Sequence, residues 1–504
     1  MEQSMFNWTI IITIIAYVLV MGGFIIYLTV KHKQDTQEEY AVAGRDLGWV
    51  QSALSSITSL SSGFLFIGFM GLGYSLGGFA SWYLLSDCFN VLLLWSFFAW
   101  RIKRMGDFHR SIDVPDILAD MYNDKKNILR AIASVAVIVF MTGYVSSQIT
   151  AASKTMAPVF NLSLEGGIIL SAIVVFIYTF FAGFRGVAMT DTAQGFIIMA
   201  VTFTMPFMAV HYAGGWQGMT ASLANIDPIL LTGRGSAPLA VAIATVVGWM
   251  FVALSTFGHA HVSPRIFAIK DVNLMKRSAL LAAIFMTLTR LAALVTGMAA
   301  RSIFPNLADP EMAFSILVQQ AFPPVLSGIM ICAVIACIMT TADSQLLAAS
   351  TTITRNVYQK IFKGQASESQ LVLINKAVMV CLIIFCTIGS IQLQGLVFWM
   401  VIFASVGGGA ALGIPLVMGL VWKRANVYGA AAGSAIGLLT VIIWKMSGLS
   451  SILHEGIPGL TFAFLAVVIV SLLTKEDPFR IKQHQILYDV NYTPNVAKGK
   501  TYTG

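Results

Sequence analysis

The chain has 504 residues, 57% hydrophobic and 11% charged, with a mean hydropathy of +0.80. These values exclude an ordinary soluble domain, and apolar stretches near 20 residues recur along the whole length, as in a polytopic all-α membrane protein. The net charge of +8 does not call for nucleic acid, because the basic residues fall in a pattern that membrane topology explains. A membrane β-barrel alternates in short segments and would not give such runs. The five cysteines (Cys88, Cys332, Cys337, Cys381, Cys386) all lie in apolar segments without metal or disulfide spacing, and read as small core residues.

In chain order, about thirteen spans are expected on a ~20-residue criterion: 7–30, 50–75, 79–100, 128–150, 165–183, 190–212, 236–258, 278–303, 324–349, 371–391, 395–421, 427–446 and 456–474. The first lacks a basic flank and a cleavage site, which favours a retained helix over a signal peptide. Lys31, Lys33, Arg101, Lys103, Arg104, Lys125, Lys126, Lys276, Arg277, Lys360, Lys363, Lys423 and Arg424 fall on one side of this arrangement. The positive-inside rule makes that side cytoplasmic, with the N-terminus outside and the C-terminus inside. The loops 211–238 and 302–324 are then external, and the tail after Lys475 reads as polar, basic and mobile. The whole of 1–504 reads as one membrane domain.

Two spans break the apolar rule. The second holds seven Ser/Thr in the eleven residues Ser52–Ser62, then Gly63 and Gly68. Hydroxyls compete for backbone hydrogen bonds and glycine is a poor helix former, so this helix is expected to unwind within the membrane. The ninth span holds Thr340, Thr341, Asp343 and Ser344. Hydroxyls and freed carbonyls are hard oxygen ligands that suit Na⁺, which points to ion-coupled transport. The plainer reading is that Ser and Thr let helices pack closely; it fits Asp343 poorly, because a carboxylate in the membrane is costly.

Arg290 and Asp87 lie at comparable depth in the eighth and third spans. A membrane charge seeks a partner, so the preferred reading is a structural Asp87–Arg290 pair; the alternative is that Arg290 reads an anionic solute. Other motifs fail in context. Gly73-Tyr-Ser-Leu-Gly77 ends a membrane helix and lacks the strand that a hydrolase elbow needs. His259 and His261 read as interfacial residues at a helix end. There is no P-loop or zincin pair, so neither ATP use nor an enzyme is expected.

Several motifs together resemble the sodium:solute symporter family, and within it the sodium/proline branch. They are Glu39-Tyr-Ala-Val-Ala-Gly-Arg-Asp-Leu-Gly48, Val114-Pro-Asp116 with Asn127-Ile-Leu-Arg130, Tyr178-Thr-Phe-Phe-Ala-Gly-Phe-Arg185 leading into Thr190-Asp-Thr-Ala-Gln194, Met339-Thr-Thr-Ala-Asp-Ser-Gln-Leu-Leu347, Thr354-Arg-Asn-Val-Tyr358, and Gly419-Leu-Val-Trp-Lys-Arg424 with Gly429-Ala430. The order and spacing carry the resemblance. Leu60 departs from it, standing where the proline branch has an acidic residue.

The resemblance implies a LeuT-type fold of two inverted five-helix repeats. The ten-helix core would run 50–421, with an extra helix before it (7–30), two after it (427–474) and a cytoplasmic tail (475–504). By the same resemblance a Na⁺ site combines the carbonyls of Thr58, Ser61 and Cys337 with the hydroxyls of Thr340 and Thr341. Asp191 has two readings: a second cation shared with Thr340, Asp343 and Ser344, or a gate held by helix-end hydrogen bonds. The solute pocket would involve Phe64, Gly68, Tyr144, Trp249 and Thr256, with Val252 beside them. The implied function is Na⁺-coupled import of a small organic solute across a bacterial inner membrane. The solute is expected to be an amino acid such as proline, or else a pantothenate-like compound or a monocarboxylate. The expected partners are Na⁺, the solute and membrane lipid. Neither a cofactor, nor nucleic acid, nor an obligatory protein partner is expected.

Overall fold

In lipid a backbone must close its own hydrogen bonds, so long apolar runs become helices. The structure, a computed structural model, describes residues 7–31, 35–181, 183–392 and 395–488. Lys33, Ala182 and the tail beyond 488 lie outside the described residues. The membrane helices, in chain order, are α1 (Trp8–Lys31), α2 (49–76), α3 (81–109), α4 (Ile128–Phe160), α5 (Leu164–Phe181), α6 (Phe184–Tyr212), α7 (Leu239–Leu254), α8 (Met275–Ile303), α9 (Pro324–Thr352), α10 (Glu368–Gln392), α11 (Val397–Val421), α12 (Val427–Met446) and α13 (Gly456–Leu473).

Twelve continuous helical stretches among the described residues are long and apolar enough to cross a membrane. One of them, Trp49–His109, has 61 residues. Straight, it would reach ~90 Å, about three hydrocarbon cores. It reverses instead at Gly77, where φ is +55° and a Cβ would run into the Leu230 backbone. Its two limbs, α2 and α3, both pack against α8. The twelve stretches therefore accommodate the thirteen expected crossings.

The first helix of each five-helix half is broken. α2 loses helical geometry at Ser62 (φ 48°, ψ −179°) and continues through a widened turn at Phe64–Phe69. α7 tightens at Ser255–Gly258 and stops at His259. α2 and α9 sit at the centre: every residue from 52 to 71 and from 330 to 352 is buried. Peripheral helices turn apolar side chains outward, such as Leu19 and Val30 on α1, as a lipid-facing surface requires.

Two expectations are corrected. The segment Pro478–Tyr488, read as mobile tail, is a helix. Arg480 pins it, donating to the carbonyls of Met121 (2.8 Å), Ala425 (3.1 Å) and Gly419 and lying over the Tyr122 ring. One buried guanidinium thus satisfies backbone groups freed where helices end. His259 and His261, read as interfacial, are 6% and 0% exposed, stacked on each other with edges toward Tyr144.

A broken helix, two threonines and a buried ion pair

The break in α2 has its own support. Gly63 N–H donates to Gln148 Oε1 at 2.8 Å, and Phe64 N–H to Ser62 Oγ at 3.0 Å. A Cβ on Gly63 would meet Ala151 at 2.7 Å, so only glycine lets α4 come this close. Alongside, α9 presents its hydroxyls. Thr340 Oγ1 lies 3.2 Å from the Thr58 carbonyl and 3.0 Å from that of Cys337. Thr341 Oγ1 lies 2.9 Å from the Ser59 carbonyl and 3.0 Å from Cys337 O. All five residues are fully buried.

Four of the five residues expected at the ion site therefore stand together. Ser61 does not face the threonines: its carbonyl accepts the Phe64 N–H across the break, and its hydroxyl donates to Ile57 O. Ser59 takes the place opposite Thr341. Three carbonyls and two hydroxyls in one buried cluster form an all-oxygen ligand set, the kind that broken membrane helices offer to Na⁺. Among the described residues no cluster of His, Cys, Asp and Glu suits a transition metal.

The second group, Asp191, Asp343 and Ser344, contains a residue that sequence reasoning missed. Arg265 Nη2 bonds Asp191 Oδ2 at 2.9 Å and Ser344 Oγ at 2.5 Å, and Arg265 Nε donates to Ser55 Oγ at 2.9 Å. Ser55 in turn donates to Asp191 Oδ2 at 2.5 Å. Ser344 donates to the Thr340 carbonyl at 2.7 Å, which ties this cluster to the first. Asp191 Oδ1 and Asp343 Oδ2 remain buried without a protein partner. With both acids ionised the cluster carries two negative charges and one positive, an imbalance that is costly at membrane depth.

Beside the break lies a narrow cavity of mixed polar and apolar lining, with about 30 Å³ open to the centre of a water molecule. Of the residues expected at the solute pocket, Phe64, Tyr144, Val252 and Thr256 line it. Gly68 and Trp249 are not in its wall. A Cβ on Gly68 would approach the Phe398 backbone at 3.2 Å, which makes it a packing residue. Trp249 sits one layer out, its ring against Phe79 and Tyr83. Asp87 and Arg290 also line the cavity, and Asp87 Oδ2 accepts from Arg290 Nε at 2.9 Å. The charge pair forms, and it forms at the pocket. Both positions were legible as membrane charges; their place in the wall was not.

Comparison with known proteins gives the family and the fold. Residues 40–437 match the sodium:solute symporter family. The chain is 30% identical over 443 residues to the high-affinity proline transporter of Bacillus subtilis, covering 87% of this chain and 93% of that one. It is 29% identical over 498 residues to the sodium/proline symporter of Salmonella typhimurium, covering 96% of each. Among solved structures, a Na⁺-coupled sialic acid symporter in its substrate-bound outward-open state superposes with a TM-score of 0.78 at 18% identity, over 93% of this chain and 98% of that one. MhsT in complex with L-phenylalanine gives 0.54 at 15% identity, over 84% and 98%. On its sequence and its broken-helix architecture, this chain belongs to the sodium:solute symporter family.

Proposed function

We propose that the protein couples the inward movement of Na⁺ to import of a small organic solute, an amino acid such as proline. The observation that carries this reading is the meeting of Thr340 and Thr341 with the carbonyls of Thr58, Ser59 and Cys337 beside the α2 break. Na⁺ bound there ties α9 to α2 and stabilises one arrangement of the helix bundle. The solute binds in the adjoining cavity, and the bundle then rocks to open the other side. Each charge moved inward gains ~2.3 kcal/mol per 100 mV of membrane potential, so even one ion drives uphill import. The relatives named as proline transporters support the choice of solute.

The end rich in Lys and Arg is taken as cytoplasmic, which places the N-terminus outside and the C-terminus inside. A second cation, between Asp191, Asp343 and Ser344, is favoured by the two unpartnered carboxylate oxygens there.

Uptake of labelled proline into proteoliposomes, with and without an inward Na⁺ gradient, tests the reading. Uptake indifferent to Na⁺ sinks the coupling. Uptake that depends on Na⁺ for some other solute but not for proline changes only the cargo.

A further inference from the structure

Arg290 has a contact pattern that a merely structural ion pair leaves unexplained. It is 2% exposed. Its Nε pairs with Asp87 Oδ2 at 2.9 Å, and Nη2 donates to the Leu60 carbonyl at 3.3 Å. Nη1 is buried with no protein partner. An arginine and a carboxylate that exist only to neutralise each other commonly meet fork to fork, through two parallel bonds. Here Asp87 holds the edge of the guanidinium, and the Phe64 and Phe69 rings lie 5.3 and 5.9 Å from its centre. One end of the fork is left free in the wall of the cavity. His259 lines the same cavity, 6% exposed, with both ring nitrogens unpartnered. A buried polar group without a partner costs about 1–3 kcal/mol, more when charged, so two of them round one cavity call for a polar occupant.

We propose that Arg290 is the carboxylate anchor of the solute site. Nη1 donates to the solute carboxylate, His259 gives a second donor, and Asp87 holds the guanidinium in orientation while balancing its charge. The proposal rests on the symport reading only in taking this cavity as the solute's. For a plain carboxylate the charges then explain the coupling, whereas a zwitterionic amino acid brings no net charge and is linked to Na⁺ through the shared run of α2 carbonyls. Asp87 and Arg290 sum to zero, so a carboxylate alone would leave the buried site negative. Na⁺ on the neighbouring carbonyls of Thr58 and Ser59 restores neutrality. The Leu60 carbonyl that holds Arg290 is the next one along the chain, so ion and carboxylate are read by consecutive peptide groups of α2. A solute that also carries a cationic nitrogen, as an amino acid does, sets that nitrogen toward Asp87; a plain monocarboxylate uses Arg290 alone.

Thermal unfolding of the purified full chain in detergent with Na⁺, in the presence of L-proline, L-lactate or pantothenate, each beside its methyl ester, and of glucose, tests the assignment. At least one acid is expected to raise the unfolding temperature while its ester does not. L-proline without L-lactate identifies a zwitterion, and the reverse a plain anion. Arg290→Lys keeps the charge and loses the planar fork, and is expected to weaken that acid about tenfold or more. The double variant D87N/R290Q removes both charges together. It is expected to keep its stabilisation by Na⁺ alone, which reports a folded protein, and to lose the response to the acid. A response to an ester or to glucose as large as to the acid overturns the proposal. So does a response to none of the three acids, an R290K variant with unchanged affinity, or a folded double variant that still binds the acid. Absence of any Na⁺ stabilisation in the unsubstituted protein counts against the symport reading instead, and the contrast between acid and ester still decides the role of Arg290.

Discussion

Arg290 donates from Nη2 to the carbonyl of Leu60 at 3.3 Å. The two carbonyls just before it in α2, Thr58 and Ser59, take the hydroxyls of Thr340 and Thr341. Three successive peptide groups are thus shared between α9 on one side and α8 on the other. An α-helix would spend such carbonyls on its own N–H groups four residues on. The break at Ser62 frees those of Ser59 and Leu60, because Gly63 N–H turns to Gln148 and Phe64 N–H to Ser62 Oγ. The unwound turn is therefore the mechanical link between the proposed ion and solute sites.

That link makes the threonine hydroxyls the first place to test. Replacing Thr340 and Thr341 together with Ala removes both side-chain oxygens and leaves the α2 carbonyls unpaired. The half-saturating Na⁺ concentration for uptake is expected to rise about tenfold or more, since one hydrogen bond to a charged group is worth ~1.5–3 kcal/mol. Thr340→Ser keeps the oxygen and should stay close to the unsubstituted protein. An unchanged Na⁺ dependence in the double variant would place the ion elsewhere.

The sequence made the spans, the hydroxyl run and its partner helix legible, because each is a pattern of composition along one segment. It could not say which carbonyl faces Thr341. That choice turns on the positive φ of Ser62, which points Ser61 O back at Phe64 N–H and leaves Ser59 O free. Arg265 was missed for a different reason. It stands 74 residues from Asp191 in the chain, at the end of a span, where a basic residue reads as a topology marker. Asp87 and Arg290 were visible as costly membrane charges, yet only packing reveals that they wall a cavity. The helix at Pro478–Tyr488 is polar in composition, and its order comes from carbonyls of distant helix ends meeting Arg480.

The cluster around Arg265 bears on stoichiometry. Asp191 and Asp343 each keep one buried oxygen without a protein partner, and Arg265 supplies only one positive charge between them. A second cation there, joined to the first site through Ser344 and the Thr340 carbonyl, should make the Na⁺ dependence of uptake cooperative, with a Hill coefficient between 1 and about 2. Asp343→Asn removes the excess negative charge and is expected to return the coefficient to about 1. A hyperbolic Na⁺ curve in the unsubstituted protein would mean that a proton on Asp343 does the neutralising.

The broken end of α7 lies backbone to backbone on α11. A Cβ on Gly258 would run into the Gly408 carbonyl, and one on Gly409 into Ser255 Cα. Neither obstacle is a flexible side-chain end. Gly258→Ala and Gly409→Ala are each expected to destabilise by about 1–3 kcal/mol or to abolish folding. Gly143, on α4, has nothing within 4 Å of its would-be Cβ, so Gly143→Ala serves as the control and should leave the unfolding temperature unchanged or raised. Equal behaviour of the three variants would show that this close approach is not required.

Where the ends of α4 and α9 meet the short helix Val114–Met121, a buried charge cluster gives a pH dependence whose sign follows from its members. Asp113 accepts from Asn356 Nδ2 at 2.7 Å, Thr352 Oγ1 at 3.0 Å and the Asp116 N–H at 2.9 Å. Burial, and then the neighbouring Asp116, nevertheless push its pKa up to about 6. Asp116 moves the other way: burial raises it, but Arg355 and Arg130, the latter at 2.6 Å, outweigh that and hold it down. Asp120, 3.0 Å from Arg130, is pushed up to about 7 by burial and by Asp116. A carboxyl whose folded pKa is raised binds a proton that the unfolded chain has already released. Stability from Asp113 and Asp120 is therefore present at low pH and falls as pH rises from ~4 toward ~6 and ~7. Asp116 acts only below the ordinary carboxylate range, where its protonation costs stability. Unfolding temperatures measured from pH 5 to pH 8 are expected to decline in the unsubstituted protein, and Asp113→Asn and Asp120→Asn should each flatten part of that decline. The asparagine keeps an oxygen for Asn356 and Thr352 to donate to but sets its NH2 against the Asp116 N–H; the lost cap lowers the unfolding temperature at every pH, and the flatter slope reports the lost ionisation. A decline that survives both substitutions would assign the titration to other groups.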